Sequence, residues 1–310
     1  MKLISVVTPC YNEEENVLEL YQKVKEVFSK LPEVAYEHIF IDNASPDRTV
    51  TILKEIAAKD KNVKIIVNAR NFGHIRSPFY GLLQSNGDAS AFLAADFQEP
   101  PELLADMVKK WQEGFKVVIA IRKNSAESKL MFWIRSMYYK LVKKLSDVEL
   151  IHNFNGFGLY DSKVIDVLRK IEDPYPYFRG LICEIGFERA EIGFDQPERK
   201  RGKTKSSFYV LFDLAMLGIT SNSKIPLRIA TIAGFILSIM SALTAFVYFI
   251  CKLLFWMDFP MGIAPLVIGL FFFSSVQLFF TGILGEYLGL TYTQVHKRPL
   301  VVEKERVNFK

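Results

Sequence analysis

The chain has 310 residues, half of them apolar, with 39 lysines and arginines against 34 aspartates and glutamates and a formal net charge of +5. That length suits one large or two modest domains, and the mild basic excess makes no case for nucleic acid while remaining compatible with an anionic membrane surface. Three cysteines, Cys10, Cys183 and Cys251, have neither metal nor disulfide spacing, which excludes a disulfide scaffold and fits a reducing compartment.

The N-terminus MKLISVVTPC passes straight into polar sequence at Tyr11-Asn12. It is too short for a secretory signal, so the first two hundred residues are expected in the cytoplasm. Residues 1–122 alternate short β-rich runs with helical patterns. Leu3–Thr8, His38–Ile41, Val63–Val67, Ala91–Ala95 and Val117–Ile121 read as buried strands. Between them, Val17, Tyr21, Val24 and Phe28 mark one apolar helical face, and Leu103, Leu104, Met107, Val108 and Trp111 mark another. Asn12 with Glu15 resembles a capping box, and Pro46, Pro100 and Pro101 stand near expected first turns. This alternation predicts an α/β fold with a mostly parallel sheet covered on both faces.

Residues 125–145 read as a helix with Met131, Ile134, Tyr138, Leu141 and Leu145 on one side, and Glu198–Lys205 (ERKRGKTK) is a basic loop. Phe208, Leu211, Phe212, Ala215 and Met216 then recur at helical spacing, which suits either a membrane interface or burial against the preceding domain. Ile229–Ile250 and Phe259–Gly285 contain no charged residue, and each exceeds the ~20 residues that cross a bilayer. Lys224 and Arg228 precede the first run; His296, Lys297, Arg298, Lys304 and Arg306 follow the second. These flanks are expected on the cytoplasmic side, with the link Cys251–Asp258 facing outward. Gly234, Ser238, Ser241 and Ala245 are small residues at spacings that permit close helix packing.

Three loops hold the residues suited to chemistry: Thr8–Glu13 after the first strand, Asp42–Ser45 after the second and Asp96–Pro100 after the fourth. In a parallel sheet they meet at one edge, where open α/β sheets bind ligands. Asp42 suits the base or ribose hydroxyls of a nucleoside diphosphate. Asp96 and Gln98 suit a divalent metal, because Mg²⁺ and Mn²⁺ take oxygen ligands and share them with phosphates. An aspartate after a strand is also a common helix cap, so the combination carries the reading.

The segments VVTPCYNEEENV, IDNASPDRT, ARNFGH, AADFQEPPELL, YFRGLICEIGF, RKRGKTKSSFY, IPLRIATIAG and LGEYLGLTYTQVHKRP together resemble the family 2 glycosyltransferases that charge polyprenyl phosphates, the group of dolichyl-phosphate mannose synthase and bactoprenol glucosyltransferase. The resemblance runs nearly end to end. It implies a GT-A type nucleotide-diphosphosugar transferase domain over 1–205, an interfacial helix over 206–225, two transmembrane helices over 226–290 and a cytoplasmic tail over 291–310. It further implies inverting transfer of one sugar, with Mg²⁺ or Mn²⁺, from a UDP- or GDP-linked donor to a polyprenyl phosphate, by a membrane protein compatible with a homo-oligomer. Carried over by position, Pro9, Tyr11, Glu13, Asp42 and Asn71 line the nucleotide-sugar pocket with Asp96. Asp96 and Gln98 hold the metal, Arg122 and Arg135 grip the lipid phosphate, and Arg199 and Lys205 belong to the acceptor loop. Asp96, Arg122 and Arg135 are the residues expected to carry catalysis.

The chain departs from the family pattern at three places. Asp42-Asn43-Ala44-Ser45 stands where relatives show Asp-Asp-Gly-Ser, Ala94-Ala95-Asp96 where they show Asp-Ala-Asp, and Asn155-Gly156-Phe157-Gly158-Leu159 where they often show Gly-Asp-Phe-Arg-Leu. A phosphate monoester acceptor is already ionised at neutral pH and needs no base, so fewer carboxylates remain compatible with transfer. The alternatives are a degenerate relative that only binds nucleotide or lipid, and a transferase that extends a lipid-linked oligosaccharide or polysaccharide.

Overall fold

A computed structural model describes residues 1–123, 151, 153–197, 216–218, 220, 223–254 and 263–309. The N-terminal region alternates β1 (Lys2–Cys10), α1 (Val17–Ser29), β2 (Val34–Asp42), α2 (Thr49–Lys59), β3 (Val63–Asn68), α3 (Gly73–Leu83), β4 (Ala89–Phe92), α4 (Leu103–Gln112) and β5 (Val117–Arg122). There follow β6 (Gly158–Asp161), α5 (Ser162–Lys170), α6 (Phe178–Ile185), β7 (Arg189–Phe194), two long helices α7 (Ile225–Leu254) and α8 (Ile263–Val295), and β8 (Glu303–Val307).

The strands form one eight-stranded sheet in the order β7-β5-β6-β4-β1-β2-β3-β8. The pairs β1–β2, β2–β3, β1–β4 and β5–β7 are parallel, while β6 and β8 run antiparallel to their neighbours. Strand side chains alternate between faces, so neighbours in sequence serve different cores. Val6, Phe40 and Ile65 pack under α1, α2 and α4, whereas Val7, Ile39, Ile41 and Ile66 pack under α3, α5 and α6. Burial on both faces is why these strands read as continuous apolar runs.

Several local expectations are corrected. The capping box at Asn12 and Glu15 does not form, because α1 begins at Val17 and the Asn16 amide donates to Glu13 Oε2 at 2.7 Å. The Asn12 N–H is committed instead to Ser45 Oγ in the neighbouring loop. At α2, Asp47 rather than Pro46 organises the first turn, accepting from the Thr49 N–H and hydroxyl. The fourth strand ends at Phe92, earlier than the apolar run suggests, because Ala94 onward turns back to bond Glu99. The expected helix over 125–145 lies outside the described residues, as does the stretch from Phe208 to Ala215.

At 30 and 33 residues, α7 and α8 are long and apolar enough to cross a membrane. At 1.5 Å per residue they measure about 45 and 50 Å, beyond the ~30 Å hydrocarbon core. No residue of α7 is buried by protein. Gly234, Ser238, Ser241 and Ala245 do face α8, across a groove of about 850 Å³ that Phe273 and Phe280 line from the other side. The chain then returns to the sheet: β8 pairs antiparallel with β3, so part of the expected tail is the last strand of the N-terminal fold. Gln294 Nε2 donates to Asp173 at 2.7 Å, Tyr80 Oη donates to Glu303 at 2.8 Å and Lys54 pairs with Glu305 at 2.6 Å, fastening the return.

Candidate active site

The parallel register sets Cys10 beside Asp42 and Val7 beside Phe92, so the loops after β1, β2 and β4 leave from one edge. Each loop contains one non-glycine residue in the left-handed region: Asn12 (φ 58°), Ala44 (φ 61°) and Phe97 (φ 59°). That conformation costs roughly 1–2 kcal/mol for an L-residue, and such strain concentrates where geometry serves a ligand.

The β1 and β2 loops are tied together by hydrogen bonds from the backbone of one to side chains of the other. The Glu13 N–H donates to Thr49 Oγ1 at 2.9 Å and the Arg48 N–H donates to Glu14 Oε2 at 2.9 Å. Asp42 is buried and accepts from the Ser45 N–H at 2.9 Å and the Ser45 hydroxyl at 2.5 Å. Burial raises the Asp42 pKa, and the Ser45 bonds oppose that rise. Beside it, buried Asn43 uses both ends of its amide. Nδ2 donates to Asn71 Oδ1 (2.9 Å) and the Gly73 carbonyl (3.1 Å), while Oδ1 accepts from Asn68 Nδ2 (3.1 Å) and the Phe72 N–H (2.8 Å). An aspartate there would keep the two accepted bonds and lose the two donated ones. The asparagine is therefore matched to its surroundings, and it brings Asn71 to the same edge as Asp42.

On the other half of the edge, Phe97 turns the chain so that the Gln98 N–H returns to Asp96 Oδ1 at 3.2 Å. Glu99 points inward, 3% exposed, accepting from the Ala94 N–H at 2.7 Å and from the Asn155 amide. Burial pushes its pKa up to about 7, helped by the nearby Asp96 charge and opposed by these bonds and by Arg122. Arg122 ends β5, and its N–H reaches the Asn153 carbonyl at 3.4 Å. Gly156 adopts φ 108°, and a Cβ at Gly158 would stand 2.6 Å from the Val118 carbonyl oxygen. Neither of the side chains that relatives carry here fits this backbone; Tyr160 occupies the region instead, donating to the Gly156 carbonyl at 2.7 Å.

Thus Pro9, Tyr11, Glu13, Asp42 and Asn71 stand on the β1–β3 side, and Asp96, Gln98 and Arg122 on the β4–β5 side. Arg135, Arg199 and Lys205 lie outside the described residues. Sequence reasoning missed Asn43, Glu99 and Asn155 as site residues. Glu99 carried a signal, a carboxylate between a glutamine and two prolines, but it read only as a helix start. Among the described residues no three His, Cys, Asp or Glu side chains converge on a metal-sized space. Asp96 and Gln98, near neighbours in the loop after β4, carry side-chain oxygens of the hard type that Mg²⁺ and Mn²⁺ accept beside diphosphate and water.

The family model for glycosyl transferase family 2 matches residues 5–169. A Bacillus subtilis glycosyltransferase, YkcC, is 36% identical over 299 residues, covering 96% of this chain and 92% of its own. The bactoprenol glucosyl transferase of Shigella phage SfII is 32% identical over 303 residues, covering 97% of each chain. The crystal structure of mannosyl-3-phosphoglycerate synthase from Rubrobacter xylanophilus aligns with a TM-score of 0.48 at 14% identity, over 75% of each chain. By family model and by near full-length identity, this chain belongs to glycosyl transferase family 2 and is a glycosyltransferase with the GT-A type fold its sequence implies.

Proposed function

We propose that the protein transfers one sugar, with inversion, from a nucleotide-diphosphate sugar to a polyprenyl phosphate at the cytoplasmic membrane face. The observation that carries this is the meeting of Asp42, Asp96, Gln98 and Arg122 at one sheet edge, in a chain whose apolar helices are fastened to the same sheet. The near full-length likeness to a bactoprenol glucosyl transferase supports the acceptor class. Residues 1–205 are the catalytic unit, completed by β8, residues 206–225 the interfacial segment, and residues 226–290 the membrane hairpin. Return of the chain to β3 supports both ends of that hairpin lying on the side of the catalytic unit.

In this reading Asp42 accepts from the base or ribose, while Pro9, Tyr11, Glu13 and Asn71 line the nucleotide. Asp96 and Gln98 hold the divalent metal, which neutralises charge on the departing diphosphate when bound. Arg122, with Arg135 and the basic loop carrying Arg199 and Lys205, receives the acceptor phosphate. That phosphate is ionised at neutral pH and attacks the anomeric carbon unaided, so the chain's work is alignment and charge stabilisation. Glu99 is turned away into the protein and serves to fix Ala94 and Asn155.

The test uses detergent-solubilised protein with undecaprenyl phosphate, Mg²⁺ or Mn²⁺, and a panel of labelled UDP- and GDP-sugars. We expect metal-dependent movement of label from one donor into the lipid phase, lowered at least a hundredfold by Asp96→Ala. Absence of transfer from every donor, or transfer undiminished by Asp96→Ala, would overturn the proposal.

A further inference from the structure

On the face of the sheet away from α1, α3 and α6 leave a cleft of about 160 Å³ between them. Its walls are mostly carbon: Ile75, Pro78 and Phe79 from α3, Phe92 from the end of β4, and Phe178 from the start of α6. The polar groups lining it are few, chiefly His74, Asn155 and Arg179. Asn155 joins the cleft to the candidate active site, since its amide donates to Glu99. Arg179 reaches the Phe154 carbonyl at 3.4 Å, just upstream of Asn155.

The cleft also borders the membrane helices. Ile75 and Tyr177, two of its lining residues, pack in a separate apolar cluster with Leu217 and with Leu290 of α8. An apolar cavity of this size accepts a ligand of about six carbons, as an engineered 150 Å³ cavity accepts benzene. A hexose would leave most of its hydroxyls without partners against such walls, at a cost for each.

We propose that this cleft receives the first isoprene unit of the polyprenyl phosphate, the unit bonded to the phosphate. The five-carbon unit lies among Ile75, Pro78, Phe92 and Phe178. Arg179 contributes positive charge where the phosphate leaves the cleft toward Arg122, and the remaining chain passes Ile75 and Tyr177 to α8. The inference rests on the acceptor assigned above. It differs in claiming that the enzyme recognises the lipid's branched first unit as well as its phosphate.

The test is photolabelling of the full-length protein in detergent with a polyprenyl phosphate carrying a diazirine on its first isoprene unit. We expect label on α3 and the start of α6, at Ile75, Pro78 or Phe178, competed by unlabelled undecaprenyl phosphate. Label confined to α7 and α8, or label that undecaprenyl phosphate does not compete, overturns the proposal. Kinetics give a second readout: Ile75→Trp, which narrows the cleft, should raise KM for the lipid at least tenfold and leave KM for the donor within twofold. Arg179→Gln should do the same and guards against misfolding of the tryptophan variant. A raised donor KM with unchanged lipid KM would give the cleft to the sugar instead. Labelling does not require turnover, so wild-type protein that labels in the cleft yet transfers no sugar to undecaprenyl phosphate would sink the proposed function alone.

Discussion

The two halves of the sheet edge are built differently. On the β1–β3 half, Asn43 makes four hydrogen bonds, Asp42 is closed by Ser45, and the two loops exchange backbone and side-chain bonds along their length. On the β4–β6 half, the buried Glu99 carboxyl, the partly buried Asp96 and Arg122 stand near one another, with the Glu99 pKa pushed up to about 7 by burial. The first half is cross-linked within the chain itself, which fits the nucleotide-lining role proposed for it. The second keeps its charges for groups that come and go. Under the proposed function, preorganisation and reactivity fall to different strands of one sheet.

That contrast can be broken most sharply by exchanging charge for fold on each side. Asn43→Asp sets carboxylate oxygen against Asn71 Oδ1 and the Gly73 carbonyl and buries a charge, so we expect a loss of about 3 kcal/mol. Thermal unfolding should fall by about 6–12 °C if the sheet domain, a unit of roughly 200 residues, melts cooperatively. Asp96→Ala removes a carboxylate that accepts from the Gln98 N–H and sits beside another carboxyl, and should cost under about 1 kcal/mol even though transfer is expected to fall at least a hundredfold. Equal destabilisation by the two would erase the distinction.

A smaller effect comes from His38 in β2. It is fully buried, bonded to Thr8 Oγ1 at 2.9 Å and stacked on Phe40, and burial lowers its pKa to about 3. Below the ordinary value of ~6.5, the unfolded chain takes up a proton that the folded chain refuses until about pH 3. Stability from this group is therefore constant above that value and declines as pH falls through the window. The expected loss at pH 5 is about 2 kcal/mol. Buried Asp42 and Glu99 act in the opposite sense, so the comparison is between wild type and His38→Gln, whose unfolding should be less sensitive between pH 7.5 and 5. A parallel pH response in both proteins would refute the assignment.

The smallest change tests the strain in the β2 loop. Ala44→Gly relieves a left-handed alanine while loosening the unfolded chain, and should raise stability by less than about 1 kcal/mol. A measurable loss would show that the Ala44 methyl group makes a favourable contact.

Much of the fold was legible because the central strands are buried on both faces and carry little but apolar residues. The two long apolar helices were legible for a related reason: a run apolar and long enough to cross a membrane is unbroken by charge. β8 was not, since EKERV is an edge strand with one neighbour and its polar side chains carry no buried pattern. The site divides in the same way. Asp42 ends β2, and Asp96 and Gln98 lie in the loop after β4, so topology alone brings them to one edge. Asn43 looked like a lost carboxylate because its partners, Asn68 to Gly73, lie some thirty residues away and appear only when β2 and β3 pair. Glu99 was hidden by proline neighbours that announced a helix start.

The position of β8 has a consequence for how the protein is made. Its residues leave the ribosome after both apolar helices, yet they complete one edge of the sheet that β1 to β3 begin. Until then β3 presents an unpaired edge, and Asn308 has not yet capped the Ala57 and Val63 carbonyls. Both long apolar helices are thus synthesised before the sheet can close, and a chain that stopped before β8 would keep the β3 edge unpaired.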